Sequence, residues 1–128
     1  MKSSKIKLGV WMDHTTAHII EIENNTITSN TIESLSIKGN RQNFGADESL
    51  KQNTEQDQLS EFFKRISVVI HDYSEVLIFG PTNAKTELHN LLKEDTQFND
   101  INIDIETTDY LTENQMHTFV KEHFEKVD

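Results

Sequence analysis

The sequence predicts one α/β domain: a mixed five-stranded sheet flanked by three helices, in the element order β-β-β-α-β-α-β-α. Three observations carry that reading. Three short strand patterns open the chain, and two later apolar strand patterns each lie between amphipathic helix patterns. The whole 128 residues, without internal repeat, linker or low-complexity tract, have the length of a single domain.

The elements follow in order. Leu8, Val10 and Met12 alternate with Lys7, Gly9 and Trp11 as a strand that ends at Asp13-His14-Thr15-Thr16. Ala17–Glu23 returns as a second strand, Asn24-Asn25 is a turn tolerant of left-handed backbone, and Thr26–Ile37 is a third, β-branched run. Tight turns make these three an antiparallel meander. Lys38–Asn53 has no sustained periodicity and holds Gly39 and Gly45. It is predicted to be a loop long enough to be more than connective.

Thr54 is the predicted start of a helix, with Asp57 in the reciprocal capping position. Leu59, Phe62, Phe63, Ile66, Val69, Ile70 and Tyr73 recur at spacings of three and four and make a single apolar face. Glu75–Phe79 is a short continuous apolar run before Gly80-Pro81, as expected of a central strand covered on both faces. Thr82 or Asn83 caps a second helix running through Asp95, with Ala84, Leu88, Leu91 and Leu92 inward. Ile101, Ile103 and Ile105 alternate with polar residues in a half-exposed strand. Thr112 to Gln115 is a capping box that opens a last helix carrying Met116, Phe119, Val120, Phe124 and Val127 on one side. Right-handed crossovers limit the topologies open to this order, which is that of the ribonuclease-H-like fold.

Composition excludes several classes of function. The absence of cysteine removes disulfide frameworks, thiol catalysis and thiolate metal sites. No stretch approaches the roughly 20 apolar residues that span a bilayer, and Met1–Lys7 is too polar and short for a signal peptide, so no membrane role and a cytoplasmic location are expected. A net charge of −10 argues against a duplex-DNA binder that works by general phosphate neutralisation. The charge is uneven: residues 1–65 carry 8 basic and 9 acidic side chains, residues 66–128 carry 4 and 13. Contact with an anionic partner is therefore expected from the first half, and a basic protein partner would suit the second.

Four constellations are candidates for chemistry. Two-metal nuclease work needs several converging carboxylates. Asp13 and Glu61 are available, but the fourth strand ends in Phe79-Gly80-Pro81 without one, and Asp13 also fits a hairpin turn that bonds its own backbone. Asp13, His14 and His18 cluster around one turn and could ligate a metal, against a plain polar turn; no serine sits in a nucleophile elbow. Gly80 to Lys85 brings a strand into a helix N-terminus, where Thr82, Asn83 and Lys85 would meet an anion, against a simple capped turn. Finally, Ser34 to Ala46 has no acidic residue and carries Lys38 and Arg41 beside Gln42, Asn43 and Phe44. Two cations, amides and an aromatic on glycine-flanked backbone suit RNA phosphates and an unstacked base, against a solvated loop.

The motifs Gly9-Val-Trp-Met-Asp-His14, Leu77-Ile-Phe-Gly-Pro81 with Ala84-Lys85 and Glu87-Leu88, and Glu106-Thr-Thr-Asp109 with Thr112 to Gln115, Val120 and His123-Phe124 resemble those of a group of small bacterial proteins of unassigned function. More distantly, the whole chain is similar to the middle domain of archaeal and eukaryotic peptide-chain release factors and of Pelota, a ribosome-rescue protein. That resemblance implies a ribonuclease-H-like fold and a translation-associated partner, the ribosome or a tRNA. In release factors the loop after the third strand carries a Gly-Gly-Gln tripeptide that promotes peptidyl-tRNA hydrolysis. The corresponding segment here, Lys38-Gly-Asn-Arg-Gln-Asn-Phe-Gly45, has Gly39, Gln42 and Gly45 but not the tripeptide. Pelota's middle domain also lacks it. With neither the tripeptide nor a nuclease carboxylate set, the expectation is a non-enzymatic domain without catalytic residues, bound metal or cofactor. It would present Lys38, Gly39, Arg41, Gln42, Phe44 and Gly45 to its target.

Overall fold

The computed structural model describes residues 7–23, 26–34 and 48–127, with side chains over 57–125 of the last stretch. The strands are β1 (Lys7–Met12), β2 (Thr16–Glu23), β3 (Thr26–Glu33), β4 (Glu75–Gly80) and β5 (Asn102–Thr107). The helices are α1 (Glu48–Ile70), α2 (Ala84–Lys93) and α3 (Glu113–Val127), and a 3-10 turn spans Thr96–Phe98. One five-stranded sheet results, in the order β3-β2-β1-β4-β5. β2 pairs antiparallel with β1 (Trp11 opposite His18) and with β3 (His18 opposite Thr31). β4 pairs parallel with β1 (Val10 opposite Ile78) and with β5. The mixed sheet with three helices is the architecture expected from the pattern.

The alternation along the strands sets the two layers. Leu8, Val10, Met12, Ala17, Ile19, Val76 and Ile78 face α1 and α2, which contribute Phe62, Phe63, Ile66, Ile70, Ala84, Leu88 and Leu92. Trp11, Ile20, Leu77 and Phe79 face α3, which contributes Met116, Val120 and Phe124. A wholly buried aliphatic or phenyl side chain adds about 1.5–3 kcal/mol relative to an exposed one, so the central strands β1 and β4, buried at every position after the first, are the energetic spine of the sheet.

Direction follows from connectivity. β1, β3, β4 and β5 run the same way, so their carboxyl ends share one end of the sheet with the Asp13–Thr15 turn, Ser34, the β4–α2 turn and the β5–α3 connection. Each helix returns from that end toward the amino end. Three helix N-termini, with their positive dipole ends, thus lie toward the carboxyl end and three C-termini toward the other. Among the described residues no helix is long and apolar enough to cross a membrane.

Several boundaries differ from the sequence expectation. α1 begins at Glu48, not Thr54, so Glu48–Asn53 is helix where a loop was expected and Thr54 lies inside the helix. These six residues contain no glycine or proline and include strong helix formers, so propensity extends the helix upstream without apolar periodicity. The remaining loop residues, 38–47, lie outside the described residues. β3 leaves the ladder at Glu33, because the Ser34 amide turns to the Thr15 carbonyl at 2.8 Å; the expected continuation at 35–37 lies outside the described residues. α2 ends at Lys93, two residues early, because Asp95 is extended and its Oδ1 accepts the Gln97 amide at 3.0 Å to start the 3-10 turn. Leu91, expected inward, is 50% exposed. Ala84, Lys85, Leu88 and Leu92 fill the buried stripe of α2 and leave Leu91 at its edge.

Candidate functional site

The carboxyl end of the sheet holds Asp13, His14, Thr82, Asn83 and Lys85 of the residues singled out from sequence. Asp13 organises it. Its Oδ1 accepts the Thr15 and Thr16 amides, both at 2.9 Å, and the Thr15 hydroxyl at 3.1 Å, while the Asp13 amide donates to the Thr16 carbonyl at 3.0 Å. This is an Asx-type turn, the backbone role that short polar side chains take between strands. Ser34 is tied to the same turn through the Thr15 carbonyl. Arg65 of α1 donates from Nη2 to the Glu33 carbonyl at 2.7 Å. The chain that continues into 35–47 is thus rooted on β1–β2 and on α1. Lys38, Gly39, Arg41, Gln42, Phe44 and Gly45 themselves lie outside the described residues.

The three residues weighed as metal ligands go to three places. Asp13 is engaged in its turn. His14 reaches α2, where its Nε2 lies 3.1 Å from Glu87 Oε1. His18 sits on the other face of the sheet with its ring 5.6 Å from that of Trp11 and its Nδ1 3.5 Å from the Thr31 hydroxyl. Among the described residues no group of three or more His, Asp or Glu is placed to hold a metal ion.

The β4–α2 turn is built from Thr82, Asn83 and Lys85. Asn83 occupies the N-cap position without a side-chain cap bond, and the Thr82 hydroxyl accepts the Ala84 amide at 3.2 Å. Lys85 is 4% exposed, and its Nζ donates to the Thr82 carbonyl at 2.6 Å. Its ammonium therefore ties the turn to the helix from inside, and the adjacent exposed charge at the α2 N-terminus is the Glu87 carboxylate. What the helix end offers an anion is its backbone dipole rather than the lysine.

An aromatic cluster was not legible in sequence. Tyr110, 66% exposed, has its ring 5.7 Å from Trp11, with His18 on the indole's other contact. Trp11 Nε1 is buried without a hydrogen-bond partner among the described residues. The three residues come from β1, β2 and the β5–α3 connection, so only the fold brings them together; the alternation that put Trp11 on a strand was the one available signal.

No protein-family model and no curated protein matches the sequence. Solved structures do match in fold. Pelota from Archaeoglobus fulgidus has a TM-score of 0.61 at 13% identity over 92% of this chain, and Pelota from Thermoplasma acidophilum 0.57 at 17% over 92%. The archaeal translation termination factor aRF1 has 0.55 at 12% over 98%. The chain spans about a third of the Pelota chains (31% and 32%) and 41% of aRF1. At these identities the likeness is one of fold, and in fold this chain is a Pelota- and release-factor-like α/β domain with the strand order β3-β2-β1-β4-β5.

Proposed function

We propose that this chain is a non-enzymatic, translation-associated domain that binds RNA or the ribosome through the segment Lys38–Gly45. The observation that carries the reading is the placement of that segment's root. Ser34 sits on the Thr15 carbonyl at the carboxyl end of the sheet, the end toward which three helix N-termini point. Backbone N–H groups and positive dipole ends favour a polyanion there, and Lys38 and Arg41 add charge where the rest of the chain is acidic. The exposed Tyr110 ring adds a stacking surface at the same end, and Phe44 supplies a second on the segment itself. The fold shared with Pelota and with the termination factor aRF1 supports a setting in translation. The absence of Gly-Gly-Gln between Lys38 and Gly45 is why the proposal stops at binding.

Co-sedimentation with ribosomes at low and moderate salt tests it. Wild-type chain should pellet with ribosomes at low salt, less so as salt rises, and a Lys38→Ala/Arg41→Ala variant should lose most of that association. Failure of the wild type to associate at low salt, or full retention by the double variant, would end the proposal.

A further inference from the structure

At the opposite end of the sheet α1 and α2 leave an open groove of about 720 Å³. Its floor is apolar, built by Phe63, Leu92 and Phe98, all buried. Its lips are two large aliphatic side chains that the fold leaves in solvent, Val68 at 66% exposure and Leu91 at 50%. Isolated exposed aliphatics are ordinary, but two facing each other across an apolar floor are the anatomy of a contact surface.

The electrostatics of this end select the occupant. The C-terminal halves of both helices line the groove, so two negative dipole ends lie beside it. α1 has no basic residue in its last turn to offset its own, whereas Lys93 in the last turn of α2 partly offsets that of α2. Asp72, just past the α1 C-terminus, and Asp95, just past that of α2, put a carboxylate on each side; Lys64 and His71 are the basic side chains in the lining. The groove lies between two helices that run in the same direction, which is the seat into which a third helix packs with apolar side chains at spacings of three and four.

We infer that the α1–α2 groove docks a cationic amphipathic helix of another protein, with apolar side chains between Val68 and Leu91 and basic side chains toward Asp72 and Asp95. This surface lies at the other end of the sheet from Ser34, the last described residue before the Lys38–Gly45 segment, and the inference stands or falls without that segment. A domain built this way would connect a nucleic-acid contact at one end to a protein contact at the other.

The test uses the full chain and a fluorescent Leu/Lys peptide with leucines at heptad spacing, titrated by anisotropy and mapped by amide chemical shifts. A control peptide of identical composition distributes its leucines around the whole helix. The amphipathic peptide should shift amides around Val68, Leu91 and Phe98 and bind at least tenfold more tightly than the control. The pair Val68→Lys/Leu91→Lys, both solvent-exposed and so compatible with folding, should weaken it at least tenfold, and Asp72→Lys should weaken it more at low salt than at high salt. Equal binding of the two peptides, or shifts confined to other surfaces, would overturn the proposal. So would sedimentation showing that the chain dimerises and that V68K/L91K abolishes the dimer, because a second copy would then occupy the groove. Ribosome co-sedimentation of V68K/L91K should match wild type, which separates failure here from failure of the loop reading.

Discussion

A Cβ built on Gly9 would fall 2.4 Å from Val120 Cγ2, so α3 lies directly on the backbone of β1 with no side chain between them. That contact sets the depth at which α3 seats on the sheet, and with it the positions of Met116 and Phe124 over Trp11 and Phe79. Gly9→Ala should therefore act as overpacking and cost about 1–3 kcal/mol in urea unfolding. The clash is with a side chain, so it is relievable: in a Val120→Ala background the same substitution should be within about 0.5 kcal/mol of neutral, giving a coupling energy of about 1 kcal/mol or more. Additive single and double variants would show that α3 does not rest on Gly9.

Gly80 makes the contrasting case. Its φ is +152°, and a Cβ there would lie 2.2 Å from the Met12 carbonyl oxygen, where β4 turns toward α2 beside the end of β1. Both the backbone conformation and the clash oppose any side chain, and the opposing atom is main chain. Gly80→Ala should cost about 3 kcal/mol or more, and Met12→Ala should give no relief, because the oxygen stays where it is. Unfolding measured on the single and double variants distinguishes this from the rescuable behaviour of Gly9.

What the sequence made legible was local. Thr112 and Gln115, three apart, do form the reciprocal cap, with the Gln115 amide donating to Thr112 Oγ1 at 3.1 Å and the Thr112 amide to Gln115 Oε1 at 2.9 Å. The strand alternation around Val10, the continuous apolar run through Ile78 and the α1 face from Phe62 to Ile70 are likewise signals within one element. Three features were hidden for different physical reasons. The α1 start at Glu48 rests on propensity without periodicity, and reading only the apolar stripe places it too late. Lys85 reads as a surface cation, and only its bond to the Thr82 carbonyl explains how it is buried. Contacts such as Trp11 to Tyr110 and His14 to Glu87 join segments far apart in the chain, so no spacing rule reaches them.

Tyr73 reports the packing of the α1–β4 junction through its titration. Burial first, and then the carboxylate of Glu21, which its hydroxyl bonds, push its phenol up from the ordinary 10.0 to about 12. Because folding raises this pKa, the neutral phenol favours the native state. Its contribution is fully present below pH 10 and is lost as pH rises toward 12. Ultraviolet titration of tyrosinate should show a late step near pH 12 that disappears in Tyr73→Phe, and Glu21→Gln should move that step down. A wild-type titration that is complete by pH 11 would contradict the junction as described.

Asp13 should behave as a turn residue. One carboxylate oxygen holds two amides and a hydroxyl, so Asp13→Ala should cost about 1–2 kcal/mol in thermal or urea unfolding. Asp13→Asn keeps an acceptor at the same place and should cost less than half as much. If the two variants were equally damaging, the negative charge rather than the hydrogen bonds would be the important property, and a charge-dependent role at this turn would have to be sought.

Arg65 links the stability of α1 to the root of the proposed binding segment. Its Nη2 holds the Glu33 carbonyl at 2.7 Å, one residue before the Ser34 amide that docks on Thr15. Arg65→Met keeps most of the aliphatic stem and removes the donor, together with a buried Nε that has no hydrogen-bond partner among the described residues. The site is partly exposed, and the expected loss of global stability is about 1 kcal/mol or less. The local effect should be larger than the global one: exchange of the Ser34 amide should speed up several-fold while the buried amides of β1 and β4 exchange as in wild type. Ribosome co-sedimentation of the same variant then connects the two ends of the argument. If Lys38 and Arg41 act from a segment positioned at its root, Arg65→Met weakens association without touching either cation. If faster Ser34 exchange leaves association unchanged, the segment binds without help from that anchor.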